Sequence, residues 1–600
     1  MKKITYILGL LLLVVTSCNQ DFLDKKPLDE YSEVDVWSDP ALIETFVNNF
    51  YREVGHSWDI DMQASYVDEG HFTPDWGVSN FNKSLLTTDD IPGWEVDWFG
   101  TATIQRLWGP MYKAIRATNI FFSKIDEVVM DDQDMKDRLT GETYFWRAYY
   151  YHYLTALYGG VPIIKEPYSL SDEFEVARNT YAECIDFIVS DLDAAAALLP
   201  VSYDGDNKGR ATKGAALALK ARVLLYAASD LHNGYNANGY SNVELIGYTG
   251  GSQTDRWTAA KNAAKAVIDM GEYSLAYPNP ANAEEATANY TAYFTSKGES
   301  EDIFLRYYLA KTDENWDNYH PGIHNGPNGY HNWGNNTPVG NLVDAFEMED
   351  GTAFDWDNPE QKADPYGIFD GQRRDPRFYA NVLYDGARWR ARPTDVANID
   401  PIGIIQTGKW QLSSDPDDLR HGLDTRQGPI EDWNGGRTGY YLRKGIVKDI
   451  DAQFTKQEVP WRYMRLGEVY LNYAEACIEL GEDDEAKKYI NMIRQRAGMP
   501  DITETGEELK ARYRNERRVE LMYEEHRFFD VRRWLIGDEA YGDTYAVDVF
   551  YGWEDGATAT QPTYEPWVYE ERAWDDKCYF FPIKRDEMNK NSLLIQNPGY

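Results

Sequence analysis

Nine stretches of this chain repeat apolar residues at helical spacing, and that repetition leaves few folds open to it. They run over roughly 40–54, 104–129, 135–158, 180–199, 212–229, 257–270, 462–480, 483–497 and 513–534. Several end on glycine, at Gly159-Gly160 and Gly271, and Gly481 falls between two of them. Glycine there suits the left-handed residue that closes a helix. One apolar stripe per helix must be buried against a neighbour, so the chain is expected to be mainly α and built from helix pairs.

The pair at 462–497 can be laid on a tetratricopeptide repeat, whose two helices need bulky and small residues at fixed steps. Tyr470, Tyr473, Ala474 and Cys477 take the first-helix positions, Gly481 the turn, and Ala486, Ile490 and Ile493 the second helix. Between about 271 and 460 the helical signal weakens, and one strand-like run stands out at 302–307. A loop-rich stretch of that length belongs in a compact fold when the loops have a task. The expected layout is one unit: an N-terminal helical scaffold at 40–270 with an aromatic loop at 66–98, a loop-rich binding region at 271–460, and a C-terminal helical pair with a closing segment at 461–600.

The first residues are Met1-Lys2-Lys3, an apolar run from Ile4 to Val15, and then Thr16-Ser17-Cys18. A positive start, an apolar stretch and small residues are the parts of a secretory signal. The run is shorter than the roughly 20 residues that cross a bilayer. Residues 1–17 are therefore expected to be removed. Val15-Thr16-Ser17-Cys18 resembles a bacterial lipobox, so Cys18 is expected to carry lipid at the head of an extended tail, 18–39. Several acyl chains would make the anchor stable. The remaining Cys184, Cys477 and Cys578 imply no disulfide framework.

A net charge of −39 repels phosphate backbones and anionic lipid, which argues against a nucleic-acid partner and leaves membrane attachment to the acyl chains. Neutral ligands are not penalised. Tyr (44) and Trp (19) are abundant, and many Trp lie in segments rich in Gly, Asn, Asp and Pro that cannot be core helices. Polar-tipped aromatics suit half-wet binding surfaces.

Further runs complete the picture: Asp21-Phe22-Leu23-Asp24 after Cys18, Arg147-Ala148-Tyr149-Tyr150, and Leu157-Tyr158-Gly159-Gly160-Val161-Pro162. Leu342-Val343-Asp344-Ala345-Phe346-Glu347-Met348 and Arg374-Asp375-Pro376-Arg377-Phe378 follow. Near the end stand Glu516-Arg517-Arg518-Val519-Glu520-Leu521, Arg527-Phe528-Phe529-Asp530-Val531-Arg532-Arg533-Trp534, Phe581-Pro582-Ile583 and Gln596-Asn597-Pro598-Gly599-Tyr600. In that order they resemble the SusD/RagB family of outer-membrane lipoproteins over nearly the whole chain. The resemblance implies a tetratricopeptide-like scaffold carrying a loop-rich ligand face. It also implies glycan capture for a SusC-like TonB-dependent transporter. Independently of any family, the mixed charges from Glu516 to Arg533 read as a structural ion-pair helix.

No motif of a nucleophile, metalloprotease or phosphate loop is present, and carboxylates are too numerous for any pair to signal glycoside hydrolysis, so no enzyme is expected. His320, His324 and His331 have the count of a zinc site but sit in a Gly/Pro-rich loop, so no metal site is expected there. Asp415, Asp417 and Asp418 could offer a structural calcium site, but they lack the EF-hand spacing and read more simply as a solvated loop.

Two aromatic loop clusters carry the binding expectation. The first, 66–98, holds Trp76, Trp94 and Trp98 with Asp68, Asp75, Asn80 and Asn82; the second holds Trp316, Tyr319, Tyr330 and Trp333, with Asn332 beside them. A pyranose presents an apolar face and a rim of hydroxyls, so it wants a flat aromatic with amide or carboxylate groups at its edge. The resemblance implies binding loops in both regions. The bland alternative is that half or more of these aromatics anchor long loops. The ligand is read as a neutral glycan whose binding is nearly indifferent to salt. A peptide-binding member of the same family and a helical-repeat protein scaffold remain as other readings.

Overall fold

The structure, a computed structural model, describes residues 33–600 apart from 54–59, 93–106, 170, 171, 173, 174, 238, 309–320 and 370. The signal region and Cys18 lie outside the described residues. After a short helix at Glu33–Ser38 and α1 (Pro40–Asn48), the helices α2 (Trp108–Ile125), α3 (Gln133–Tyr158), α4 (Tyr181–Leu198), α5 (Lys213–Ala228) and α6 (Gln253–Asp269) pack each on the next. The series is completed by α7 (Ala283–Thr295), α8 (Leu466–Glu479), α9 (Asp483–Arg496), α10 (Gly506–Glu520) and α11 (His526–Arg533), with α8 lying on α6 and α9. No helix among the described residues is long and apolar enough to cross a membrane.

Local chemistry explains the helix limits. Thr180 and Glu183 form a reciprocal capping box at α4, and Asp132, Thr212, Ser252 and Asn282 each accept a backbone N–H at the start of a helix. Ser252 starts α6 four residues ahead of the expected Trp257. Gly159, Gly271 and Gly481 all have positive φ just past helix ends. In the tetratricopeptide-like pair, Tyr470, Ala474, Cys477, Ala486, Ile490 and Ile493 are buried, and the Tyr473 and Tyr489 rings meet edge to face at 4.8 Å.

Four features depart from the sequence reading. The expected helix at 462–480 opens with a strand, β4 (Trp461–Arg465), that pairs with β2 (Asp302–Arg306). The expected helix at 513–534 breaks at 521–525, where Tyr523 and Glu525 take left-handed backbones and the Lys444 ammonium donates to the Met522 carbonyl at 2.9 Å. Helix α7 lies inside the stretch read as loops; its apolar face of Ala286, Tyr290, Tyr293 and Phe294 is diluted by Thr and Asn. A long antiparallel pair, β5 (Thr544–Tyr551) with β6 (Thr563–Glu570), was not expected, although it buries Ala546, Val547, Val549 and Tyr564.

A buried ionic cluster joins the scaffold to the loop region. Arg465 reaches Glu301 and Glu520 at 2.8 Å each, and Arg377 reaches Glu520 at 3.0 Å. Burial pushes the Glu520 carboxyl up, but Arg496, Arg465 and Arg377 outweigh it and hold it at about 2. Removing one partner from such a cluster leaves a buried charge, so each member fixes its neighbours.

Candidate functional site

The two aromatic loops meet through a short sheet. Strand β1 (Gly70–Phe72) pairs antiparallel with β3 (Asn336–Pro338), setting His71 opposite Thr337. Beyond it, the Thr73 amide and hydroxyl donate to the carbonyls of Asn335 and Gly334, each at 2.7 Å. Asn336 is fully buried and bonds four ways. Its Oδ1 accepts from the Met62 amide and the Ser65 hydroxyl, and its Nδ2 donates to the Ile60 carbonyl and Asn325 Oδ1, all at 2.8–2.9 Å. One amide side chain thus ties together both loops.

Past β1 the chain makes a turn in which Asp75, Trp76 and Gly77 all have positive φ, at 68°, 37° and 91°. For the two non-glycine residues this conformation costs on the order of 1 kcal/mol each. Asp75 holds the turn by accepting from the amide and hydroxyl of Ser79 at 2.9 and 3.0 Å. The result is a projecting indole: Trp76 is 42% exposed, with its edge set on Phe72 at 5.5 Å. Trp333 is half-buried, placed by its amide donating to the Ile323 carbonyl at 2.7 Å and by the His324 ring at 5.1 Å. The Gly435 amide donates to the Trp333 carbonyl at 3.1 Å and brings in a third loop, whose Trp433 meets Trp333 at 6.2 Å and is 60% exposed.

These three indoles wall a cavity of about 450 Å³, with Thr73, Asn335 and Asn434 offering polar groups and Arg426 and Arg437 at its side. That volume is in the range of small-molecule sites. Asn434 donates to Glu431, and its buried Oδ1 has no partner among the described residues. His331 buttresses the wall, with Nδ1 3.0 Å from Glu431 and Nε2 2.9 Å from Asp395. Burial would lower its pKa, but those two carboxylates outweigh burial and raise it. A larger cavity of about 600 Å³ lies elsewhere, between Trp108, Tyr112, Tyr168 and Leu594. Neither aromatic loop contributes to it, so the smaller cavity is the better candidate for the ligand of those loops.

The remaining expected residues fall in different places. Asp68 is buried and doubly committed, to Arg527 at 2.8 and 2.9 Å and to Arg518 at 2.8 Å, so it is not brought to the face. Tyr330 is buried, donating from its hydroxyl to the Arg390 carbonyl at 2.8 Å with the Arg392 guanidinium over its ring at 4.3 Å; it is a loop anchor. Asn332 is buried behind Trp333, and Asn82 donates to the Ser65 carbonyl at 3.0 Å. Asn80 is exposed on the short helix after Trp76, and Asp75 shapes the turn; neither lines the cavity. Trp94, Trp98, Trp316, Tyr319 and His320 lie outside the described residues. No group of three or more metal-binding side chains occurs among the described residues, and Asp415 accepts from the Asp417 amide at 3.0 Å to close its turn. Sequence reasoning missed Trp433, Arg426, Arg437 and Asn434. The run Asp432-Trp433-Asn434-Gly435-Gly436 has the same Trp, Asn and Gly mixture as the two loops that were singled out.

The class defined by this arrangement is a stacked-helix scaffold that presents an aromatic pocket on long loops. Residues 300–600 match the SusD family, and residues 21–225 match a second model described as starch-binding associating with outer membrane. The chain belongs to the SusD family. It is 22% identical to SusD-like protein P2 of Formosa agariphila over 620 residues, covering 100% of this chain and 99% of that one. A SusD-like protein of Bacteroides fragilis superposes with a TM-score of 0.73 at 30% identity, over 96% of this chain and all of that one. A laminarin-binding SusD-like protein shares the fold at a TM-score of 0.57 and 19% identity, over 94% of this chain and all of that one.

Proposed function

We propose that this protein captures oligo- or polysaccharide at the bacterial surface, in the pocket of Trp76, Trp333 and Trp433, and passes it unaltered to a SusC-like TonB-dependent transporter. The observation that carries the reading is the convergence of three tryptophans from three loops on one polar-edged cavity, with Trp76 held outward by a turn of unfavourable φ. Strain kept at an exposed aromatic is what a preformed binding surface requires. Family membership and the laminarin-binding name of a structural neighbour support glycan as the ligand class. The outer-membrane association in the second model's description supports the location, with Cys18 as the lipid-bearing residue. Trp94, Trp316 and Tyr319, which neighbour the same loops in sequence, are assigned to the same ligand.

A glycan array probed with the wild-type protein and with Trp433→Ala tests this reading. Wild type should bind a related set of glycans, and the variant should lose that set while melting at the same temperature. Binding unaffected by the substitution would move the site elsewhere, and an array with no bound glycan would remove the ligand class.

A further inference from the structure

The charge of the pocket runs against the charge of the chain. The protein has 60 Lys and Arg against 99 Asp and Glu, yet the residues that wall the pocket include Arg426 and Arg437 and no carboxylate. Both guanidiniums are positioned by neutral groups. Arg426 donates from Nε to the backbone carbonyl of Asp432 at 3.1 Å. Arg437 lies beside the hydroxyl of Tyr569, which meets His71 Nε2 at 3.0 Å.

Among the described residues, neither arginine has an ion-pair partner, and neither lies over an aromatic ring. Nearby carboxylates are engaged elsewhere: Asp75 with Ser79, Glu431 with His331 and Asn434, and Glu570 with Arg572. Asp432 is exposed and meets Arg426 through its backbone.

A neutral sugar is served by the amides and indoles already present and gains little from two unpaired guanidiniums. Arg426 is half-buried and Arg437 exposed at the pocket's edge, and an oxyanion that enters there takes charge-assisted hydrogen bonds that a neutral sugar does not offer. The planar fork of arginine matches a carboxylate or a sulfate, each of which offers oxygens in the same spacing.

We infer that the pocket takes an acidic glycan, with the ring of a carboxylate- or sulfate-bearing sugar on the tryptophans and its oxyanion between Arg426 and Arg437. This rests on the glycan-binding reading above and narrows its ligand, replacing the neutral sugar expected from composition. The acidic surface is no obstacle: long-range repulsion is screened within about 10 Å at ordinary salt, while contact hydrogen bonds are not. Salt alone is therefore a poor probe, because it acts mainly on the overall repulsion and little on the contact hydrogen bonds.

The test removes charge from the ligand instead. Purified full-length protein in detergent is applied to an array that pairs each acidic glycan with its neutralised form, uronates with their methyl esters and sulfated galactans with desulfated ones. The best pair is then titrated by calorimetry. The acidic member should bind at least about tenfold more tightly than its neutral form. Arg426→Gln and Arg437→Gln should each weaken it by about fivefold or more and weaken the neutral form by clearly less, and Arg437→Lys should retain part of the affinity for the acidic form. The uronate and sulfate arms identify the source of the charge. Neutral glycans bound as well as acidic ones, with both Gln variants like wild type, would overturn the acidic ligand while the glycan reading stands. An array bare of every glycan would remove both.

Discussion

Asp68 and Glu69 stand side by side just before β1 and titrate in opposite directions. Burial pushes Asp68 up, but Arg518 and Arg527 outweigh it and hold its carboxyl at about 2. Glu69 is pushed up to about 8 by burial and by Asp68 itself, which outweigh the pull of Arg518 and Arg527 on it. The depressed carboxyl contributes stability that is present above about pH 4 and is lost as pH falls towards 2. The raised one acts in the other sense: the fold keeps a proton that the unfolded chain releases above about pH 4.5, so stability declines as pH climbs towards 8. Glu69→Gln removes that second decline. Urea denaturation at about pH 5 and about pH 8.5 should show the variant gaining on wild type by a few kcal/mol at the higher pH. Parallel stability curves would mean that Glu69 ionises normally in the fold. Asp68 also marks the limit of reading composition. Asp68, Tyr330 and Asn332 have the chemistry of sugar-binding groups, but the loop turns them inward, and residue type does not say which side of a loop a residue takes.

At the scale of elements, the site depends on the pairing of β1 with β3, and Asn336 is its latch. Asn336→Ala would remove four buried hydrogen bonds and leave the Met62 amide and the Ser65 hydroxyl without that acceptor, at a cost of about 2–4 kcal/mol. Because the same residue aligns the Trp76 and Trp333 loops, glycan affinity should fall with stability. Unchanged affinity in a destabilised variant would show that the two loops are held by other contacts. The helices were legible because each carries its own apolar stripe, as Cys184, Ile188 and Leu192 do on α4. What escaped depends on distant partners. Trp461–Arg465 reads as the start of a helix until Asp302–Arg306 is beside it, and residues 521–525 read as helix until Lys444 reaches their carbonyls. In the site, Trp76 and Trp333 were legible as tryptophans in loops that cannot be core. Their meeting was not, since it is made by strands far apart in sequence, and Trp433 was passed over although its loop carried the same signal.

At the scale of the whole molecule, stacked helices form the base and long loops carry the pocket. The outer-membrane location proposed above rests on lipid at Cys18. Cys18→Ala should therefore leave the protein unprocessed or release it from the outer membrane in a strain without the partner transporter. Mature protein still found in the membrane fraction there would contradict the assignment. The central claim is that three tryptophans from three loops bind one glycan, and calorimetry of single substitutions against the best glycan tests it most directly. Trp76→Ala, Trp333→Ala and Trp433→Ala should each cost about 1–3 kcal/mol, roughly tenfold to a hundredfold in affinity. Trp410→Ala should cost nothing in binding, because Tyr551 stacks on one side of that ring at 4.5 Å and the Arg420 guanidinium lies 4.6 Å from its centre. The account is contradicted if the three pocket variants bind like wild type, or if Trp410→Ala weakens binding as much as they do.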